Sequence, residues 1–428
     1  MIPFEKGLPF IGNFLAYQKD KISFLTKMHK KNGDTFKVKI GNINLTVVTN
    51  PEDITRIMQE NFNNYIKKSN IDQFFGKKNI FLSNGEEWKE QRKMIRPVFK
   101  NEHIANFIPL IEQICEEEFS QLEECEVFDI QEFFNKISFK VITSTIIGNE
   151  FQAHYQLKEH IKIVTDSLTQ MNSIQNFALL YKSKIKKRDK SIEFIDKVIF
   201  KIIDDKKKSK EFSSDALSML AELSLQKDST MTDKEIRDQL VTLIFAGYET
   251  TALCMSWLTH LLSKNSPYQV ILREEFKTLL NTSPLESTPY QTVDNIIKES
   301  MRLYPPGWAW SRVALKEDLL KNHKVIAGEI ILMSPYLTHR DPKIWDEPNK
   351  FHPERFQNEI VKGSFIPFGY GPRTCIGMSL AMIEMRIMLK HLLNRFELID
   401  CNHSPVIKPQ ITLDVVGGFI IGLKKRPA

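Results

Sequence analysis

Ten residues near the end of the chain restrict its fold more than any other stretch: Phe368-Gly369-Tyr370-Gly371-Pro372-Arg373-Thr374-Cys375-Ile376-Gly377. The glycines strip side chains from the turn, so a flat group can lie against its backbone. An apolar run with helical spacing follows, Met378 to Leu393. Cys375 thus stands just ahead of a helix start, where backbone N–H groups and the helix dipole favour a thiolate. Arg373 sets a charged fork two residues before it. A thiolate so placed can ligate a metal or attack a substrate.

The other four cysteines, Cys115, Cys125, Cys254 and Cys401, lie in apolar or amphipathic contexts and read as packing residues. An odd number without metal-ligand spacing argues against a disulfide framework and for a reducing compartment. Residues 1–13 carry neither a signal-peptide pattern nor a long apolar run, so the chain reads as soluble and cytoplasmic. The net charge of +6 is mild and implies no nucleic-acid partner. Two basic runs, Lys182–Arg188 and Lys206–Lys208, read as solvated faces, with peripheral membrane contact as the alternative.

Modest proline and glycine, 19 and 17 in 428 residues, favour a mainly helical chain. The order of elements begins with a helix over Ile22–His29, then an alternating strand, Thr35–Ile40. A turn at Gly41–Asn44 leads to a partner strand, Leu45–Thr49. Pro51 opens a short helix to about Glu60. Residues 61–84 read as a long loop with buried Phe74, Phe75 and Phe81. A basic helix follows in which Trp88 and Arg92 share a face. Helices are expected at His103–Gln121, Ile130–Ile147 and Leu157–Lys208, the last broken near Asn172–Leu179. A long apolar helix spans Thr232–Leu262 and opens with a capping box, Thr232 and Glu235. Ala246-Gly247-Tyr248-Glu249-Thr250-Thr251 interrupts it and reads as a kink carrying an acid beside an alcohol. Val293–Leu303 is helical and holds Glu299 and Arg302. Short strands over Val313–Met333 and an alternating tail, Phe396–Arg426, supply the small β-rich portion. No repeat or linker divides the chain, so residues 1–428 read as a single domain.

Taken together, these pieces resemble the cytochrome P450 family. Phe-x-x-Gly-x-Arg-x-Cys-x-Gly at 368–377 matches its haem loop in full. Trp88-x-x-x-Arg92 resembles its haem-propionate helix, Ala246-Gly247-x-Glu249-Thr250-Thr251 its oxygen-activating helix, and Glu299-x-x-Arg302 with Pro353-Glu354-Arg355-Phe356 its buried charge network. The resemblance covers nearly the whole chain. It implies that fold, with haem b (iron protoporphyrin IX) between the long distal helix and the proximal Cys375 loop with its helix.

The resemblance also implies roles. Cys375 is the iron ligand. Arg92, Arg373 and Arg312 hold propionates with help from Trp88, and Phe368, Gly369, Gly371, Gly377, Ala246 and Gly247 shape the haem site. Glu249 and Thr250 order water and deliver protons. Glu299, Arg302 and Arg355 are structural. Phe74, Phe75, Phe81, Leu82, Phe245, Ala246, Gly307, Trp308, Ala309, Trp310, Thr412 and Leu413 line a pocket for a lipophilic molecule. Small Gly307 leaves room near the iron.

The expected activity is insertion of one atom of O2 into a fatty acid, terpenoid, steroid or polyketide, by hydroxylation or epoxidation. A fatty acid leads on motif style. The hairpin tip Gly41–Asn44 has no base to hold a carboxylate, although Lys37 and Lys39 are near. With no flavin or iron–sulfur module in the sequence, electrons come from a separate ferredoxin or flavodoxin with its reductase, or from a flavin reductase. Such a partner would dock on Lys89, Lys93 and Arg96. A monomer is expected. A peroxygenase or isomerase is the alternative enzyme class, against which the Glu249-Thr250 pair argues. A haem sensor or carrier is the non-catalytic alternative.

Overall fold

Thr232 begins the helix on which the other elements are laid. Its hydroxyl accepts from the Glu235 N–H at 3.2 Å while the Glu235 carboxylate accepts from the Thr232 N–H at 2.8 Å. This reciprocal cap starts a 32-residue helix, Asp233–Lys264, about 48 Å long at 1.5 Å per residue. It is apolar on most sides and therefore buried on most sides. The computed structural model describes residues 2–427 apart from 69–71, 77, 149–155, 174–181, 229–230, 280–281 and 285–289. The expected break at 172–179 falls mostly outside these residues.

Against the long helix pack Ile130–Ile147, Lys182–Ser209, Ala216–Ser224, Gln291–Leu303 and Met378–Arg395, while Asn101–Ser120 packs on Met378–Arg395 and Ile130–Ile147. Their apolar faces form the largest core. Trp257 of the long helix stacks on Tyr304 at 3.6 Å between centroids. The fold is thus mainly helical, with a smaller β portion.

That β portion gathers distant segments. Six strands run in the order Phe4–Glu5, Thr35–Ile40, Ile43–Val48, Ile330–Met333, Trp310–Ala314, Tyr65–Ile66. Ile43–Val48 pairs in parallel with Ile330–Met333, Leu45 opposite Ile330. The hairpin turn is tighter than expected, because Ile43 and Asn44 already pair with Ile40 and Lys39. A second sheet places Ile420–Lys425 between Phe396–Asp400 and Cys125–Asp129. The sequence does not mark Cys125–Asp129 as a strand, since adjacent Val127 and Phe128 between acidic residues break the alternation, and Val127 is exposed.

The segment Ala246–Thr251, expected to interrupt the long helix, does not end it. The helix is continuous through Gly247. A Cβ on Gly247 would stand 2.5 Å from Ile142 Cδ1. The glycine therefore lets the helix Ile130–Ile147 approach closely.

Candidate active site

The Cys375 loop is held from three sides. Gly369 and Gly371 have φ of +79° and +68°, where L side chains are strained. A Cβ on Gly371 would also collide with the Met58 carbonyl, so the loop sits directly on the π-helical turn Arg56–Glu60. The Cys375 N–H donates to Phe368 O at 2.8 Å, and Thr374 Oγ1 donates to Gly371 O at 2.7 Å. Gly377 caps the helix Met378–Arg395. It has ordinary space around it, with Phe99 at 3.6 Å from a would-be Cβ.

Of the five cysteines Cys375 is the exposed one. Burial of its surroundings pushes the thiol up, against the Gly377 N–H, Arg92 and Lys67. A coordinated metal cation deprotonates a thiol outright.

Four cations stand around this loop. Arg92, on the helix Gly85–Ile95, donates to Thr374 O at 2.9 Å. Arg373 donates to Ser83 O at 2.7 Å and to Asn84 Oδ1 at 3.2 Å, with its guanidinium 4.5 Å above Trp88. Arg312, 6% exposed, comes from the strand Trp310–Ala314. Lys67 lies 4.0 Å over the Phe81 ring and donates to Phe81 O at 3.0 Å. Burial, then Arg312 and Arg92, bring Arg373 down to about 10. Burial alone brings Arg312 to about 10. Lys67 is pushed well below its usual range by burial, then by Arg312, Arg373 and Arg92.

Among the described residues no carboxylate pairs with any of the four, and Arg373 Nη1 is buried without a partner. Such a cluster is costly until an anion meets it. An accessible thiol and unpaired cations fit a metal macrocycle bearing two carboxylates. Lys67 carries no sequence signal of its own, because it lies in an aperiodic loop.

On the long helix, Ala246 is exposed while Glu249 and Thr250 are half-buried. Thr250 Oγ1 donates to its own helix at Ala246 O, 2.7 Å. Glu249 Oε1 accepts from Thr412 Oγ1 at 2.6 Å. Burial drives the Glu249 carboxyl up to about 7, against that hydrogen bond.

The expected pocket residues divide. Phe245 is half-buried, and Leu82, Gly307, Ala309 and Trp310 are likewise partly covered. Phe81 is exposed beneath Lys67. Phe74 is 0% and Phe75 1% exposed, within the core. Phe74 sits under Arg237 and Phe75 against Phe245 at 5.0 Å. Phe74 thus packs the core and does not line a pocket. Trp308 and Leu413 are buried, and Thr412, 4% exposed, is engaged by Glu249. The space beside Gly307 is not open on every side, for Trp310 Nε1 would lie 3.0 Å from a Cβ there.

Glu299 and Arg302 are fully buried and doubly bonded at 2.7 and 2.9 Å. Arg355 Nε reaches Glu299 at 3.1 Å. Arg302 also donates to His339 O, Pro348 O and Lys350 O. Elsewhere, the ligand atoms of His29, Asp34 and Asp341 lie within 4.8 Å of one another. Lys343 already neutralises Asp34 at 2.7 Å.

An accessible cysteine within a cluster of unpaired cations, in a chain that also carries an acid beside an alcohol on its longest helix, suits a haem-thiolate protein. The family model for Cytochrome P450 matches residues 2–421, and the chain belongs to that family. It is similar to Cytochrome P450 3A16 of Mus musculus, 30% identical, covering all of this chain and 92% of that protein. Cytochrome P450 3A6 of Oryctolagus cuniculus is 28% identical over 95% of this chain and 87% of its own length. Cytochrome P450 3A1 of Rattus norvegicus is 30% identical over the same shares.

The chain is therefore a haem-dependent monooxygenase, an oxidoreductase using O2, a redox partner and a lipophilic substrate. The expectation of a soluble, cytoplasmic protein is corrected. The relatives are mammalian 3A cytochromes P450, and Asp233–Lys264 is long and apolar enough to cross a membrane. In the fold, 78% of its most apolar window is buried.

Proposed function

We propose that Cys375 supplies the sulfur ligand of haem b and that Arg92, Arg373, Arg312 and Lys67 neutralise its two carboxylates. The unpaired cation cluster carries this reading. Bound haem supplies the activation of O2: one atom enters the substrate and the other leaves as water, with two electrons from the partner and two protons. Glu249 and Thr250 handle those protons, and a carboxyl near 7 can both give and take them at neutral pH. Glu299, Arg302 and Arg355 hold the framework, with residues 1–428 acting as one domain.

The reduced, carbon-monoxide-bound protein is expected to show the red-shifted Soret band of thiolate ligation. Cys375→Ser should lose that band while keeping its fold by circular dichroism. A wild-type protein without the band would overturn the assignment.

The substrate we infer is a neutral lipophile of terpenoid, steroid or polyketide type. Lys37, one of two lysines near the hairpin tip, is already paired with Glu329 at 3.1 Å. This disfavours a fatty-acid carboxylate as the anchor. Spin-state titration with dodecanoic acid and its methyl ester separates the cases: the ester should bind at least as tightly as the acid. Exposed Lys89, Lys93 and Arg96 suit an acidic electron donor, either a ferredoxin or flavodoxin or a flavin reductase. Lys206–Lys208 are taken up by Glu211, Asp233 and Asp204, which favours a solvated face over membrane contact there.

A further inference from the structure

Among the hydrogen bonds that fasten the loop joining Val406–Pro409 to Leu413–Val416, three hold its tip. Trp308 Nε1 donates to Gln410 O at 3.0 Å, and the Leu413 N–H donates to Pro306 O at 3.0 Å. The third fastening is Thr412 Oγ1, 2.6 Å from Glu249 Oε1 and 163 residues away in sequence. Thr412 is 4% exposed, so water does not compete freely for that bond. No hydrogen bond joins Glu249 to Thr250, whose hydroxyl is turned to Ala246 O.

We propose that Thr412 is a positioning residue for Glu249: it fixes the carboxyl against this loop and sets the pH at which the acid gives up its proton. The inference rests on the reading of Glu249 as a proton-handling acid. A hydroxyl donating to a carboxylate favours the charged form. The other groups facing Glu249 are Asp414 on the same hairpin, Asp166 and Lys162 on the helix Gln156–Ser173, and Tyr248 beside it. The two aspartates oppose ionisation and Lys162 favours it. Thr412 alone among the facing groups makes a direct bond to the carboxyl.

The test is an infrared pH titration of the protonated carboxyl stretch in the holoenzyme, with Glu249→Gln assigning the band. The wild-type midpoint is expected at about 7. Thr412→Val should move it upward by about one unit, and Thr412→Ser should restore it. The pH profile of hydrogen peroxide release by the reduced holoenzyme in air should move in step. An unmoved midpoint in Thr412→Val, or failure of Thr412→Ser to restore it, overturns the proposal. A Glu249→Gln profile identical to wild type instead overturns the role of Glu249 in proton handling and leaves the measured tether intact, so the two failures are told apart.

Discussion

Glu384 points into the helical core from Met378–Arg395 and is 3% exposed, with Oε1 unpartnered. Burial pushes its carboxyl up to about 8, against the Ser138 hydroxyl. A carboxyl raised on folding stabilises the native state fully below its unfolded pKa. That stability is lost as pH climbs toward the folded value. Glu384→Gln should therefore match wild type near pH 4 and exceed it at pH 8, by on the order of 2–3 kcal/mol. Urea unfolding at the two pH values checks this, and a difference that does not grow with pH would refute it. Arg373 offers the opposite experiment. Arg373→Gln removes one of four mutually repelling cations, so the apoprotein should melt no lower than wild type. Haem should nevertheless leave roughly tenfold faster, for want of one charge-assisted bond. Transfer of haem to apomyoglobin measures that rate.

At the scale of elements, Gly247 answers to more than its local sequence. Glycine in mid-helix beside two threonines suggests a kink, because both weaken the backbone ladder. Tertiary contact adds a second reason for glycine, since Ile142 of the partner helix occupies the space a Cβ would need. Gly247→Ala should cost about 1–3 kcal/mol by overpacking. Ile142→Ala in the same chain should recover part of it, and a double-mutant cycle would read the coupling directly. Elements with local signatures were legible: the capping box at Thr232, the hairpin strands, and Ile130–Ile147 to the residue. Cys125–Asp129 was not, because its pairing is with Ile420–Lys425, and no local pattern encodes a partner so far away. The same holds for the site. The motif residues were legible one by one, whereas Lys67 in the cation cluster and the bond from Thr412 to Glu249 exist only once the chain is folded.

Across the whole molecule, the buried ion pair and the cysteine loop are one construction. His339 is fully buried, and burial, then Arg302 and Arg340, push it down to about 3, so it is neutral. Its Nε2 accepts from the Ile366 N–H at 2.9 Å, which leaves Nδ1 to donate to Arg302 O at 3.2 Å. Ile366 O in turn accepts from the Gly369 N–H at 3.1 Å. A change at Arg302 should therefore be felt at the thiolate. Arg302→Lys keeps the charge but cannot satisfy Glu299 and three carbonyls at once. We expect a loss of about 3–5 kcal/mol in urea unfolding, with a diminished thiolate band in the carbon monoxide complex. An unchanged spectrum would mean that the pair and the loop are mechanically independent.

The parallel pairing of Leu45 with Ile330 also has a consequence during synthesis. A ribosome adding about 5–20 residues per second needs roughly 15–60 s to pass from one strand to the other. Through that interval the early hairpin waits with an open edge. The nascent chain is then a natural client for factors that shield β edges, and the sheet closes only after the long helix has emerged.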